Sequence, residues 1–368
     1  MICSLPVLAE PETGRVKPPS FAQKIRSLPA GFSGSVRTWP AATLRPSAAF
    51  LTDVRELAAG LIGYGLGPAE RCAVVGSFGA DALAGIFAVW TAGGTVVPVD
   101  GAVPAAEVRD ALRAARARVA LAVDRSDLDR LLLVRPELPD LEIVFVADPD
   151  GRGGPSPART FADVASSGAA ALRAAPGLFS DLGAAPPVMV LATSAEGVAT
   201  RRRGPDDLDR GADDLAVRFG IDPGDRVLVS LPLEGGGDLD VARAVLERGA
   251  ELVFGGSDLP GPDVYLATTP TRAFVRGASL SLLERAVDGE IEGRGTLRRA
   301  ILRRAFRVVE NRPRHPRQAH LADRFVLRDL VGRFTGGRLR TAACPGTPPS
   351  TPRLAALGVS TRPLEGGA

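Results

Sequence analysis

Along this chain the apolar positions switch repeatedly between a helical period and short unbroken runs. Phe50, Val54, Leu57, Ala58, Leu61 and Ile62 recur at helical spacing, and Gly63 and Gly65 supply a stop. "RCAVVGS" (71–77) then reads as a buried strand, and "ADALAGIFAVWTAGG" (80–94) as a helix ended by Gly93 and Gly94. "TVVPVD" is a strand, "PAAEVRDALRAARA" a helix, "RVALAVD" a strand, "DLDRLLLVRPELPDL" a helix and turn, and "EIVFVAD" a strand. Strands alternating with helices of this length predict a parallel sheet covered on both faces.

A proline- and glycine-rich link at about 148–158 interrupts the alternation, which then resumes. The apolar run Val188–Leu191 predicts a buried strand opening into the small, polar loop "TSAEGVATRRRG", and a helix is expected at about 206–219. Further strands are expected in "DRVLVSLPL", "AELVFGG" and "DVYLATTP", with a helix at 238–248 among them. Residues 278–334 read as mostly helical and basic, followed by "GRLRTAACPG", a short helix near 351–357 and "VSTRPLEGGA". The expected organisation is an irregular proline-rich tail (1–45), a first α/β subdomain (46–165) and a second (166–368) carrying the basic helical segment.

The 368 residues allow two or three subdomains. A net charge of +3 is far from the excess of a dedicated nucleic-acid binder, and only Lys17 and Lys24 among the 45 cations are lysines. Cys3, Cys72 and Cys344 are too scattered for a disulfide framework or a metal site, and His315 and His320 lack the spacing of a helical metal pair. No apolar run reaches the ~18 residues of a membrane span. The first twenty residues have no basic stretch ahead of their apolar patch, so a cytoplasmic setting is expected. Gly76, Gly79 and Gly85 miss the dinucleotide-loop spacing. Residues 294–340 hold fourteen arginines against three acids. Leu297, Ile301, Ala305 and Val308 predict a single core-facing stripe there, with the arginines on the opposite, solvated face, so nucleic acid is not the expected partner.

The run from "LAAGLIGYGLGPAERCAVVGSFGADALAGIFAVWTAGGTVVPVD" onward resembles the adenylate-forming (AMP-binding) enzymes, and "LAVRFGIDPGDRVLVSLPLEGG" continues the likeness. "HLADRFVLRDLVGRFTGGRLRTAACPGTPPSTPRLAALGVSTRPLEGGA" resembles the segment of long-chain fatty acid–CoA ligases that leads to their nucleotide pocket. The resemblance implies an α/β fold of two stacked parallel-rich sheets with flanking helices, as in the large N-terminal domain of acyl-CoA synthetases, with the C-terminal domain absent. It implies a fatty acid or acyl-AMP as ligand, and ATP with Mg²⁺ if activity is retained.

The family's phosphate loop, T-S-G-T-T-G-x-P-K-G, falls on "TSAEGVATRR", so the phosphate-binding candidates are Thr193, Ser194, Gly197, Thr200 and Arg201. Ala195 replaces a glycine, Glu196 sets a carboxylate where phosphate oxygens would lie, and the lysine is missing. Two like charges about 4 Å apart repel by roughly 4 kcal/mol at an effective dielectric near 20. The adenine-side candidates are Gly346, Thr347 and Pro348, then Glu365 and Gly366, where the family's E-G-Y-G-x-T-E would begin. No catalytic or metal-binding residue of the family can be matched. The expectation is a catalytically impaired relative. The alternatives are an active adenylating enzyme completed by a partner chain, or a basic module for nucleic acid or a membrane surface. An exposed sheet edge at the truncation would call for a protein partner or give poor solubility.

Overall fold

The computed structural model describes residues 20–364 except 28, 42, 148–157, 181, 183–187, 195–196, 235, 257–258, 311–321 and 323–325, with backbone alone at 188–194, 197–202, 205 and 310. The described residues open with α1 (Phe21–Ser27), β1 (Ser35–Thr38), β2 (Thr43–Pro46) and α2 (Ser47–Gly63). The first sheet follows: β3 (Arg71–Gly76), α3 (Ala80–Thr91), β4 (Thr95–Asp100), α4 (Ala105–Ala115), β5 (Val119–Ala122), α5 (Arg125–Val134), β6 (Ile143–Val146) and β7 (Arg159–Thr160). Next come α6 (Phe161–Ala174) and two strands, β8 (Val188–Ser194) and β9 (Gly197–Arg203). The second sheet is built from α7 (Pro205–Phe219), β10 (Arg226–Ser230), α8 (Gly237–Glu247), β11 (Glu251–Phe254), α9 (Pro262–Thr268) and β12 (Arg272–Val275). It is completed by α10 (Gly277–Glu292), α11 (Thr296–Glu310), α12 (Arg328–Thr335), β13 (Thr341–Cys344), α13 (Pro352–Ala356) and β14 (Ser360–Pro363).

The first sheet runs β4-β3-β5-β6-β7, wholly parallel. The second runs β14-β13-β12-β10-β11-β1-β2 and is parallel except for the β1–β2 pair at its edge. Side chains alternate across each strand, so every sheet feeds two cores. In β10, Val227 and Val229 join the core between the sheets while Leu228 points to the far side. In β3, Cys72 and Val74 face inward while Ala73 and Val75 pack on α4 and α5. The result is five layers, the middle one containing α2, α3, α6, α7 and α8. The two stacked parallel-rich sheets expected from the resemblance are present.

The middle layer is thin where α2 and α6 cross. A Cβ on Gly168 would sit 1.9 Å from the Glu56 carbonyl oxygen, and one on Gly60 would sit 2.0 Å from that of Val164. Two helix backbones touch there, and only glycine permits it.

Three expectations are corrected. Residues 21–46 are not an irregular tail: β1 pairs with β11 inside the second sheet, so part of the N-terminus belongs to the second unit. "DVYLATTP" does not form a strand, because Gly261 and Pro262 start a helix at α9 and the strand begins at Arg272. The third, the stretch after Ser194, bears on the candidate site.

Candidate functional site

In sheets of this kind ligands gather beyond the carboxyl ends of the strands. At that edge of the second sheet, β12 ends at Val275 and Arg276 follows as the residue before α10. The Arg276 guanidinium meets the Asp100 carboxylate at the end of β4, Nη2 to Oδ2 3.1 Å. This ion pair joins the two sheets at their ligand-facing ends.

Beside it lies the segment read as a phosphate loop. β8 and β9 pair antiparallel from Val188↔Arg203 to Ser194↔Gly197. Only residues 195 and 196 remain to connect the strands, and both lie outside the described residues. Thr193, Ser194, Gly197, Thr200 and Arg201 are therefore strand residues of one hairpin, with Thr193 opposite Val198 and Thr200 opposite Leu191. The expected loop after Ser194 is instead a second strand, because Val198, Thr200 and the arginines extend easily as an alternating run. In a two-stranded ladder the N–H groups lie in the plane of the ribbon and do not converge on one point, as a phosphate nest needs.

Arg203 anchors the base of this hairpin to the start of α8. Its Nη2 donates to both carboxylate oxygens of Asp240 at 3.0 Å, and its Nη1 donates to the Gly236 carbonyl at 3.2 Å. Burial pushes the Asp240 carboxyl up, and Arg203 offsets part of that rise. One of the three arginines that could have compensated for the missing lysine is thus already bound.

The adenine-side segment follows β13. Gly346 takes a left-handed φ of +67°, turning the chain away from the buried Cys344, and Thr347 and Pro348 follow in the loop to α13. A Cβ on Gly277 would lie 3.6 Å from Pro349 Cδ and 3.8 Å from Cys344 Sγ, so the loop lies against the start of α10. Glu284 of α10 holds the loop's far end, accepting from the Arg353 and Leu354 N–H groups at 2.6 and 3.0 Å. Burial raises Glu284, opposed by those two donors. Leu364, just past β14, packs at the start of α8, where a Cβ on Gly237 would lie 2.8 Å from its Cδ2. Glu365 and Gly366 lie outside the described residues.

The carboxyl edge of the first sheet carries a second acidic site. Asp127 is 1% exposed and closes a capping box with Asp124: the Asp127 N–H donates to Asp124 Oδ1 at 2.9 Å and the Asp124 N–H to Asp127 Oδ2 at 3.2 Å. Arg130 Nη2 meets Asp127 Oδ1 at 2.5 Å. Burial, reinforced by the charge of Asp124, raises Asp127 to about 7 in spite of Arg130.

The fold brings Gly346, Thr347 and Pro348 to the same sheet edge as Arg276. Sequence reasoning missed Asp100, Arg276, Asp240 and Glu284. The Asp100–Arg276 contact spans 176 positions and the Arg203–Asp240 contact 37, so no local pattern reveals them. Among the described residues no three His, Cys, Asp or Glu side chains are gathered to hold a metal ion, and no helix is long and apolar enough to cross a membrane.

Residues 48–194 match the family model "AMP-binding enzyme". The sequence has no match among the curated proteins compared with it. Solved structures share the fold at low identity. A protein of Rhodopseudomonas palustris described as a long-chain-fatty-acid CoA ligase superposes with a TM-score of 0.64 at 16% identity, covering 93% of this chain and 74% of that one. A long-chain-fatty-acid-CoA ligase of Archaeoglobus fulgidus gives 0.61 at 15%, covering 73% and 54%. The A domain of a carboxylic acid reductase of Segniliparus rugosus, in complex with AMP and a co-purified carboxylic acid, gives 0.66 at 13%, covering 93% and 59%. The chain thus spans between about half and three quarters of the length of these structures.

Proposed function

We propose that this chain, whose residues 48–194 match the AMP-binding enzymes and whose fold is that of the adenylate-forming ligases, is a catalytically impaired relative that has lost its grip on the phosphates of ATP. One observation carries the reading: the continuous pairing of β8 with β9 down to Ser194↔Gly197. Adenylation needs a carboxylate oxygen to attack the α-phosphorus while pyrophosphate leaves, so the charge on the departing phosphates must be held by preorganised donors. Strand N–H groups paired along the ladder down to Ser194↔Gly197 are not turned onto such a site. Removing even one such donor typically lowers the rate about 10²–10³-fold.

Two cations at the carboxyl edge of the sheets are also already engaged. Arg203 is engaged by Asp240 and Gly236, and Arg276 by Asp100. Drawing either onto phosphate would leave a carboxylate behind without that partner. The residues present do not fit a clamped ATP·Mg²⁺, and no catalytic step is assigned through it. A fatty acid or acyl-AMP remains the ligand class to test at this edge.

The test is carboxylate-dependent exchange of labelled pyrophosphate into ATP, run over a series of fatty acids. The expected result is no exchange above the protein-free background. Exchange that depends on any one fatty acid would overturn the proposal.

A further inference from the structure

Three strands of the first sheet end around one buried carboxyl. Asp127, in the first turn of α5, is packed against backbone that carries no side chain. A Cβ on Gly76, the last residue of β3, would lie 2.8 Å from its Oδ2. A Cβ on Gly101, the residue after β4, would lie 2.9 Å from its Oδ1. The Gly101 N–H donates to the Gly76 carbonyl at 2.9 Å and ties the two strand ends together.

A continuous run of bonds leads from this carboxyl to the other sheet. Asp127 Oδ1 accepts from Arg130 Nη2 at 2.5 Å. Arg130 Nη1 donates to the carbonyls of Gly101 and Val103, the second at 3.2 Å, and so holds the turn between β4 and α4. That turn begins at Asp100. One oxygen of Asp100 accepts from the Ala102 N–H at 3.1 Å, and the other meets Arg276 of the second sheet. Asp127 is therefore the root of the contact that clasps the two sheets together.

Two acids share one cation at this root. On α5 and its cap, Asp124 and Arg130 act on Asp127. The ends of β3 and β5 bring Gly76 and Val123, neither of them charged. β4 brings Asp100, which is turned to Ala102 and Arg276. On α4, Arg109 and Arg113 lean to Glu137 beyond the far end of α5. A carboxyl sealed from solvent beside a second acid is better off protonated, even with one arginine at hand. In a conformation that lets it reach water, ionisation carries no such penalty, so ionisation favours opening.

We propose that the start of α5 and the β4–α4 turn form a proton-controlled latch behind the Asp100–Arg276 clasp. Protonated, Asp127 stays seated between Gly76 and Gly101 and the turn is held. Ionised, it moves toward water with Arg130 and frees the turn from which Asp100 reaches the second sheet. The sheets are then less firmly joined at their carboxyl edge. The latch works whether or not a nucleotide binds.

The test is amide hydrogen exchange of the intact chain at pH 6 and pH 8, with each rate divided by the intrinsic rate at that pH. The N–H groups of Gly101, Ala102 and Val103 bond to Gly76 and Asp100 and report the turn, while those of β10 report the core. The turn should be less protected than β10 at both pH values. With Asp127 at about 7 when seated and at the ordinary 3.8 when hydrated, opening of the turn should grow about ten-fold from pH 6 to pH 8. Asp127→Asn cannot ionise and should remove that growth. Arg276→Ala should open the turn about two- to five-fold at either pH, because clasp and latch brace each other. Turn amides as protected as those of β10 would make the opening global. A turn that exchanges alike at both pH values, or that keeps its pH dependence in Asp127→Asn, would deny the proton its role. Wild-type exchange at 101–103 in Arg276→Ala would disconnect latch from clasp. Each of these results overturns the proposal, and the wild-type comparison of the two pH values needs no variant to fold.

Discussion

The two edges of the second sheet use the same residue types for opposite ends. At the amino edge, Asp225 accepts from Thr271 Oγ1 at 2.7 Å and Arg272 Nε at 2.9 Å, while Glu251 takes Arg37 on one oxygen and Arg226 on the other, at 2.5 and 3.0 Å. These contacts stitch adjacent strands of one sheet: β10 to β12, and β11 to β1 and β10. At the carboxyl edge, Arg203–Asp240 ties the hairpin to α8 and Arg276–Asp100 ties one sheet to the other. The amino edge holds the scaffold together. The carboxyl edge, where the related folds would face a nucleotide, spends its cations on internal acids.

The comparison breaks most readily at Asp225. Burial raises its carboxyl, but the Asp222 N–H, Thr271 and Arg272 more than offset this and hold it below the usual 3.8. Its contribution is therefore present above that pH and lost as pH falls through the lower folded value. Asp225→Ala leaves Arg272 and Thr271 without it and should cost about 3 kcal/mol at pH 7, read as a lower melting temperature. A loss no larger than that of a surface mutation would show that the amino edge is not the scaffold.

Asp127 extends the comparison to the first sheet, with the opposite sign. Its folded value of about 7 lies above the unfolded 3.8, so its stabilising protonation is complete below 3.8 and is lost as pH rises through about 7. Asp127→Asn should be more stable than wild type at pH 8 by about 2 kcal/mol, and the advantage should shrink toward pH 5. Melting curves at the two pH values decide this, and a pH-independent difference contradicts it.

At the carboxyl edge the effects should be local. Asp240→Ala should loosen the hairpin by about 1–2 kcal/mol, seen as faster amide exchange across 188–203 with little change in global melting. Arg276→Ala, at a partly exposed pair, should cost under about 1 kcal/mol. If either lowered global stability as much as Asp225→Ala, the two edges would not differ in kind.

The alternation of strands and helices from Phe50 to Val146 was legible because each strand is a nearly continuous apolar run bounded by glycine or by a capping residue such as Asp124. β1 and β2 were not, since they are four residues each amid prolines and one pairs with β11 more than two hundred positions away. The hairpin was half legible. Its first strand is apolar, but "GVATRRR" reads as loop and charge until Arg203 finds Asp240. On α11 the period gave the helix but not its buried face, because Leu297 and Leu302 obey the same rule and only α10 and α13 tell them apart. Glycine and proline marked the loop after β13, while Glu284, which holds it, is one buried acid among many in the sequence.

The most direct measurement of the central claim is isothermal titration of the intact chain with ATP·Mg²⁺ and with a non-hydrolysable acyl-sulfamoyl-adenosine. A hairpin paired down to Ser194↔Gly197, in a fold whose carboxyl-edge Arg203 and Arg276 are already held by Asp240 and Asp100, predicts no saturable heat for ATP·Mg²⁺ up to millimolar concentration. Micromolar, Mg²⁺-dependent binding of ATP would show that the phosphate grip survives and would contradict the account.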